Sequence, residues 1–281
     1  MNRKIKYCAI LQCLLVLLIL SSCTIEKKLG KDFLTEAPKI CIEVYTPQSM
    51  YKFSHKGEVI PGFDSLTVTQ QDSALFAGSN FIKHVDDSLF LDRYVNNFID
   101  ELRNIGFRVF VDSYADTILS TMPQAYVVNM SQVQLDEYLQ PFEDSESVGD
   151  TEFFKTFYLN AVDASSWFEL NKYNVVKPSK TVLYSSFTAS DGFKGNFVMN
   201  NFSMDLKYRY KIDSLRMNDI YDLASYSGRK NADYLFDYFM NQFISFNMPQ
   251  GMEILGYLHY VPSNKTFIFT EDEKFQVLKS N

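Results

Sequence analysis

Thiols, imidazoles, converging carboxylates and glycine-rich anion cradles carry most protein chemistry, and this 281-residue chain holds few of them in useful patterns. His55, His84 and His259 stand isolated, none with a second ligand at metal-site spacing, so neither a metal nor another cofactor is expected. There is no His-Glu-x-x-His, Gly-x-Ser-x-Gly, P-loop or dinucleotide glycine pattern. Gly192 and Gly195 lie between strand-like runs and read as a turn. Neighbouring acids such as Asp86-Asp87 and Glu271-Asp272-Glu273 read as solvated surface and helix caps, because a glycosidase needs two carboxylates that converge in space. Cys41 lies in Lys39–Tyr45, where Ile40, Ile42 and Val44 alternate onto one strand face and leave Cys41, Glu43 and Tyr45 on the other. A nucleophilic thiol needs a base beside it. None is signalled, and Cys41 reads as a buried small apolar residue. No catalytic residue is expected.

A different cysteine has a chemical assignment. Arg3, Lys4 and Lys6 precede an apolar run from Tyr7 to Leu20, broken only by Gln12, and the run ends in Leu20-Ser21-Ser22-Cys23. The run is about 14 residues, short of the about 20 that a spanning helix requires, and it has the charge asymmetry and small-residue boundary of a secretory signal. Leu-Ser-Ser-Cys resembles the lipobox of bacterial lipoproteins. The resemblance implies cleavage before Cys23, diacylation of its sulfur and, as a rule, acylation of its new amino group. The expected organisation is a signal peptide over 1–22, an acylated polar tether over 23–37 and a globular domain over 38–281. Residues 24–28 lack the acidic cluster that several phyla use for surface export, so an outer-membrane protein facing the periplasm is expected.

Composition narrows the partners. The chain holds 27 basic and 34 acidic residues, and cleavage would remove three cations and no acid. A chain this acidic with no basic patch argues against nucleic acid and against adsorption to anionic lipid by charge, leaving the acyl chains as the hold on the membrane. Removal of Cys8 and Cys13 and acylation of Cys23 would leave one thiol, so no intramolecular disulfide is available.

The elements read as α+β: a largely antiparallel sheet packed by one long amphipathic helix, followed by a C-terminal αα-hairpin and β-hairpin. Leu91, Tyr94, Val95, Phe98, Ile99, Leu102 and Ile105 recur at helical spacing after an Asp86-Asp87-Ser88 cap. Gly106 sits where a left-handed cap belongs, and Phe107–Val111 begins a strand. Met50–Ile60 suggests a hairpin around Lys56-Gly57, Ser65–Asn80 a loop, and Pro141–Thr151 an acidic loop. Ala125–Tyr138, Phe153–Asn171, Thr181–Phe187 and Gly195–Tyr210 read as strands. Helices are expected from Asp213 or Ser214 to Tyr226 and from Asn231 to Ser245, separated at Ser227-Gly228. Ile254–Val261 and Lys265–Thr270 form the closing β-hairpin. The core would span 38–210, with the helical and β-hairpins over 211–270.

Aromatic residues make up 16% of the chain, and most fall on periodic apolar faces as a core requires. Trp167 and Tyr45 fall opposite such faces and are the candidate surface or ligand contacts. The order strand, helix, Gly106, strand, long strand resembles the core of ABC-transporter auxiliary lipoproteins, the amino-terminal domain of TolB and lipopolysaccharide-assembly lipoproteins. Asp-Ser/Thr-apolar triplets at Asp64, Asp72, Asp87, Asp116 and Asp213 resemble the O-glycosylation sequon of Bacteroidetes envelope proteins. The resemblances imply a non-enzymatic lipid-anchored envelope protein, an accessory to a transport or assembly complex. A glycan- or ligand-binding lipoprotein is the alternative, with a cryptic hydrolase behind it. Replacing Cys23 with Ser is expected to abolish incorporation of labelled palmitate and release the protein from the membrane fraction; unchanged labelling and retention would refute the lipobox assignment.

Overall fold

The computed structural model describes residues 25–111, 119, 121–173, 181–199, 206–270 and 275–278; Cys23 lies outside them. Among the described residues the helices are α1 (25–36), α2 (Val68–Gly78), α3 (Asp87–Asn104) and α4 (Met217–Asn247). The strands are β1 (Cys41–Tyr45), β2 (Tyr51–Ser54), β3 (Arg108–Phe110), β4 (Ala125–Val148), β5 (Thr151–Lys172), β6 (Thr181–Ser190), β7 (Gly192–Met199), β8 (Leu206–Asp213), β9 (Tyr257–Val261), β10 (Thr266–Thr270) and β11 (Gln276–Leu278). The fold is α+β. No helix of the described residues is long and apolar enough to cross a membrane.

The main sheet runs β11-β6-β5-β4-β1-β3, antiparallel from β11 to β4 and parallel where β1 joins β4 and β3. β1 pairs with Ala125–Asn129 of β4, and β2 takes over along Gln134–Glu137 of the same edge. A bulge between Met130 and Gln132 marks the handover. The hairpin expected around Lys56-Gly57 is therefore absent: β2 pairs with β4, and the chain leaves it through a single 3-10 turn at Gly57–Val59.

β4 and β5 pair from Tyr126/Lys172 out to Val148/Thr151, whereas β6 covers only Ala161–Leu170 of β5. The remainder projects as a two-stranded arm that turns at Gly149, whose φ of 62° suits glycine. The β7–β8 hairpin lays rings on this arm, with Phe193 centred 4.4 Å from Phe142 and Phe157 4.7 Å from Tyr210. The acidic loop expected over Pro141–Thr151 is thus mostly strand. Backbone pairing and ring contacts hold it, although most of its side chains face solvent.

Helices α3 and α4 lie together on one sheet face. Asp86 accepts from Leu89 N–H at 3.0 Å to start α3. Gly106 and Phe107 end it by donating to the carbonyls of Arg103 and Leu102, the Schellman arrangement. The two helices expected after Asp213 are one continuous helix, α4. Ser227 and Gly228 sit within it because α3 presses against them: a Cβ on Gly228 would lie 2.2 Å from the carbonyl oxygen of Tyr94. Beside this contact, Tyr94 donates to Ser166 of β5 at 2.8 Å. Asn231 of α4 donates to the Tyr94 oxygen at 2.6 Å and accepts from Ser185 of β6 at 2.5 Å. Burial pushes the Tyr94 hydroxyl well up, so it remains a protonated donor.

Two other expectations change. Residues 25–36 are helix rather than tether: Phe33 and Ala37 are buried, and Phe33 packs against Phe236 and Phe243 of α4 at 5.2 and 5.6 Å. The stretch read as loop before Asn80 contains α2, started by a Thr67–Gln70 capping box and with no buried residue to betray it. One apolar core runs from Phe33 to Phe275, so residues 211–270 complete the same core as 38–210. Gly228→Ala is expected to destabilise the protein by about 1–3 kcal/mol or more, the cost of overpacking, outweighing alanine's gain in helix propensity of about 1 kcal/mol. A lowered urea midpoint checks this, and an unchanged midpoint would show that α3 can yield.

Candidate functional site

With both helices on one face, the side chains pointing the other way form an open surface over β4, β5, β6 and β2. Alternation assigns them, after a change of phase at the bulge: Val133, Leu135 and Glu137 point inward, and Gln132, Gln134, Asp136 and Tyr138 outward. Register adds the neighbours. Trp167 lies opposite Gln132 on one side and Tyr184 on the other, and its ring is centred 4.9 Å from that of Tyr184. Further along, Asp136 lies opposite Asp163, and Asp163 opposite Thr188. On the far flank Tyr51 and Phe53 of β2 stand beside Gln134 and Asp136, about half exposed, their rings parallel within 3°. Gln132 to Tyr138 spans about 20 Å at strand rise.

Amides and carboxylates fill the space between the aromatic flanks. Gln132 donates to Gln134 at 2.9 Å, and Gln134 donates to both oxygens of Asp136 at 2.8 and 3.0 Å. His55 Nε2 lies 2.9 Å from the same carboxylate. Asp163 Oδ1 accepts from Thr188 at 2.6 Å and from Tyr138 at 3.1 Å. Like charges directly opposed in a sheet are destabilising, and here each carboxylate has its own donors. Burial, followed by the charge of Asp163, pushes the Tyr138 hydroxyl up and keeps it a donor. At the His55 end the surface opens into a groove of about 580 Å³ that His55, Ile60, Phe63, Asp64 and Leu75 help to line. A row of amides and acids between flat rings can hydrogen-bond polyols and stack on their apolar faces.

The joint below this groove is polar and buried. Lys56, one residue after His55, turns inward and donates to Glu137 at 2.5 Å and to Asn160 at 2.9 Å. The Glu137 carboxylate also accepts the backbone N–H groups of Asn80, Phe81 and Ile82 at 2.7 to 3.1 Å. Asn160 in turn donates twice to Asp191, whose other oxygen accepts from Leu215 N–H at 2.7 Å. These bonds tie the base of the arm to the β6–β7 corner and to the approach to α4. Burial would raise the Glu137 carboxyl, but the Lys56 ammonium and the three N–H groups outweigh it and hold the group below its ordinary 4.5.

Sequence reasoning placed two residues on this side. Trp167 is half-buried on the open surface, and Tyr45 points outward with 41% of its area exposed. They are not partners: Tyr45 lies beside Asn129, and the ring next to Trp167 is Tyr184. Tyr184, Gln134, Asp136 and Asp163 were missed. The alternation of Gln132, Gln134, Asp136 and Tyr138 was the available signal, and the bulge put it out of phase with Tyr126, Val128 and Met130. Cys41 is fully buried against Leu119 and Ala125, and burial pushes its thiol up, away from the reactive thiolate. Among the described residues no three of His, Cys, Asp and Glu gather as a metal site. The chain matches no family model and no curated protein sequence.

Glu137 makes stability depend on pH. Its folded pKa is lowered, so its contribution is present above about 4.5 and is lost as pH falls through the folded value. Glu137→Gln is expected to flatten the acid limb of a stability–pH curve. Lys56→Ala, which leaves the carboxylate buried without its cation, is expected to cost about 3–5 kcal/mol at neutral pH. Denaturant titrations from pH 3 to 7 check both; parallel curves for wild type and Glu137→Gln would contradict the assignment.

Proposed function

We propose that the protein is a non-catalytic, lipid-anchored envelope protein that binds a glycan across its open sheet surface. The observation that carries this reading is the Trp167–Tyr184 pair beside Gln132, Gln134, Asp136 and Asp163, facing Tyr51 and Phe53 across β4. Rings supply flat apolar contact at low entropic cost, and the amide–acid row supplies directional bonds to hydroxyls. Two carboxylates in the middle of the surface repel anionic ligands, so neutral or amino sugars are the class that fits. The lipobox resemblance at Cys23 supports a lipid anchor in the outer membrane, and the lack of an acidic cluster over 24–28 supports the periplasmic side.

The chain has one tryptophan, and it lies on this surface, so its fluorescence reports on the site directly. Titration of the full chain with neutral and amino-sugar oligosaccharides is expected to change Trp167 emission saturably. Tyr184→Ala and Gln134→Ala should each weaken binding about tenfold, equivalent to about 1.4 kcal/mol. Emission unaffected by every neutral and amino glycan of the envelope would sink the reading.

A second reading, an accessory that docks to an envelope transport or assembly complex, has its own support. The arm exposes Phe154 by 69% and Tyr158 by 65% on a two-stranded ribbon held away from the core. Exposed aromatics on a projecting element suit a protein groove. Crosslinking from a photoreactive group at Phe154 to a discrete envelope protein would favour docking, and its absence in intact cells would remove this reading.

A further inference from the structure

The start of α1 is fixed against the end of α4. Asn241 donates to Leu258 O at 2.7 Å and accepts from Leu258 N–H at 2.9 Å, while Asp237, one turn earlier, accepts from Tyr260 N–H at 2.9 Å. One turn of α4 therefore matches two residues of β9, and Ser245 with Ile254 and Gly256 continues the match along a shared groove. The chain before β9 returns beside the C-terminal turn of α4. There the buried Glu26, in the first turn of α1, accepts from Leu255 N–H at 2.7 Å. α4's end, the 248–256 loop and the start of α1 thus share one pole.

This pole exposes four large apolar side chains, with the exposed carboxylate of Glu253 among them. Phe246 is 89% exposed and Leu255 60%, with Met252 and Ile254 between them about half exposed. Lys28 and Lys31 are exposed on α1. Nothing in the main sheet requires these four side chains to be apolar. In the sequence a single residue separates Cys23 from Ile25, where α1 begins, so the anchor is joined to this helix by a very short length of chain.

We propose that this pole is a membrane-contact surface, resting on the bilayer leaflet that holds the acyl chains of Cys23. The inference rests on the lipid-anchor reading and adds an orientation to it. Because α1 begins so soon after the anchor, acyl chains in the bilayer bring Leu255 to the headgroup region. Phe246, Met252, Ile254 and Leu255 then enter the interface as a shallow apolar wedge, with Lys28 and Lys31 on the first turns of α1 near lipid phosphates.

The test uses the full, acylated chain reconstituted in phosphatidylethanolamine–phosphatidylglycerol vesicles. An environment-sensitive fluorophore is placed on Met252→Cys, Leu255→Cys or, as a control on the arm, Ser145→Cys; Cys41 is buried and does not compete for label. Labels at 252 and 255 are expected to shift to the blue, to be quenched by nitroxide-bearing lipid and to lose quenching by iodide, while the label at 145 does none of these. Acylated, vesicle-bound protein whose 252 and 255 labels remain as open to iodide as the control overturns the inference and leaves the anchor intact. Shielding from iodide without quenching by nitroxide lipid also overturns it, because a protein then covers the pole. Recovery of unacylated protein that does not bind vesicles overturns the anchor reading and the orientation together.

Discussion

The close approach of α3 and α4 at Gly228 governs the arrangement of the whole domain. A hydrogen in place of a side chain lets the backbone of α3 come to the surface of α4, and Tyr94 can then reach across to Ser166 while Asn231 reaches Ser185. Buried hydroxyls and amides are costly unless paired. Each of these groups is satisfied only when both helices sit at one height and one angle over β5 and β6. Apolar packing would hold the helices against the sheet in many poses; the polar links select one. Because both helices are committed to that face, the opposite face is free to carry Trp167, Tyr184 and the amide–acid row.

Local signals in the sequence were legible where they were sufficient. The Asp86 cap, the apolar stripe of α3, Gly106 and the strand after it are all set by neighbours within one or two turns, and each is found in the structure. Ser227-Gly228 looked like a helix end because glycine is a poor helix former in isolation; its reason for being there is α3, remote in sequence. Glu143, Asp144 and Glu146 looked like loop because they lack an apolar face, yet a ribbon can be held by pairing and a few rings. α1 was misread because its apolar stripe is short, with the half-buried Leu29 and the buried Phe33 set among charged residues. The candidate surface was half legible. Trp167 and Tyr45 were placed outward by alternation, but their neighbours depended on register and on a bulge that no local pattern announces.

The buried Lys56–Glu137 pair is a different kind of constraint. Its Coulombic gain is set against the cost of taking both charges from water, so it adds little net stability relative to an apolar pair. Its value is directional. Glu137 gathers three successive N–H groups and one ammonium, which fixes where the chain turns before α3, and Asn160 passes that position on to Asp191 and Leu215. The base of the arm is therefore a hydrogen-bonded joint, set more firmly than the exposed ribbon it supports.

The contact between Glu26 and Leu255 closes a loop of 229 residues. A chain leaves the ribosome amino end first, so α1 is made before any of the surfaces that receive it. Its partners on α4 and the β9–β10 hairpin arrive last, and until then Phe33 has no core to enter. Completion of this domain thus waits until its last elements are available to pack, and the high sequence separation of the closing contacts predisposes it to slow final assembly. A chain cut short before Tyr257 would expose its beginning as well as lose its end.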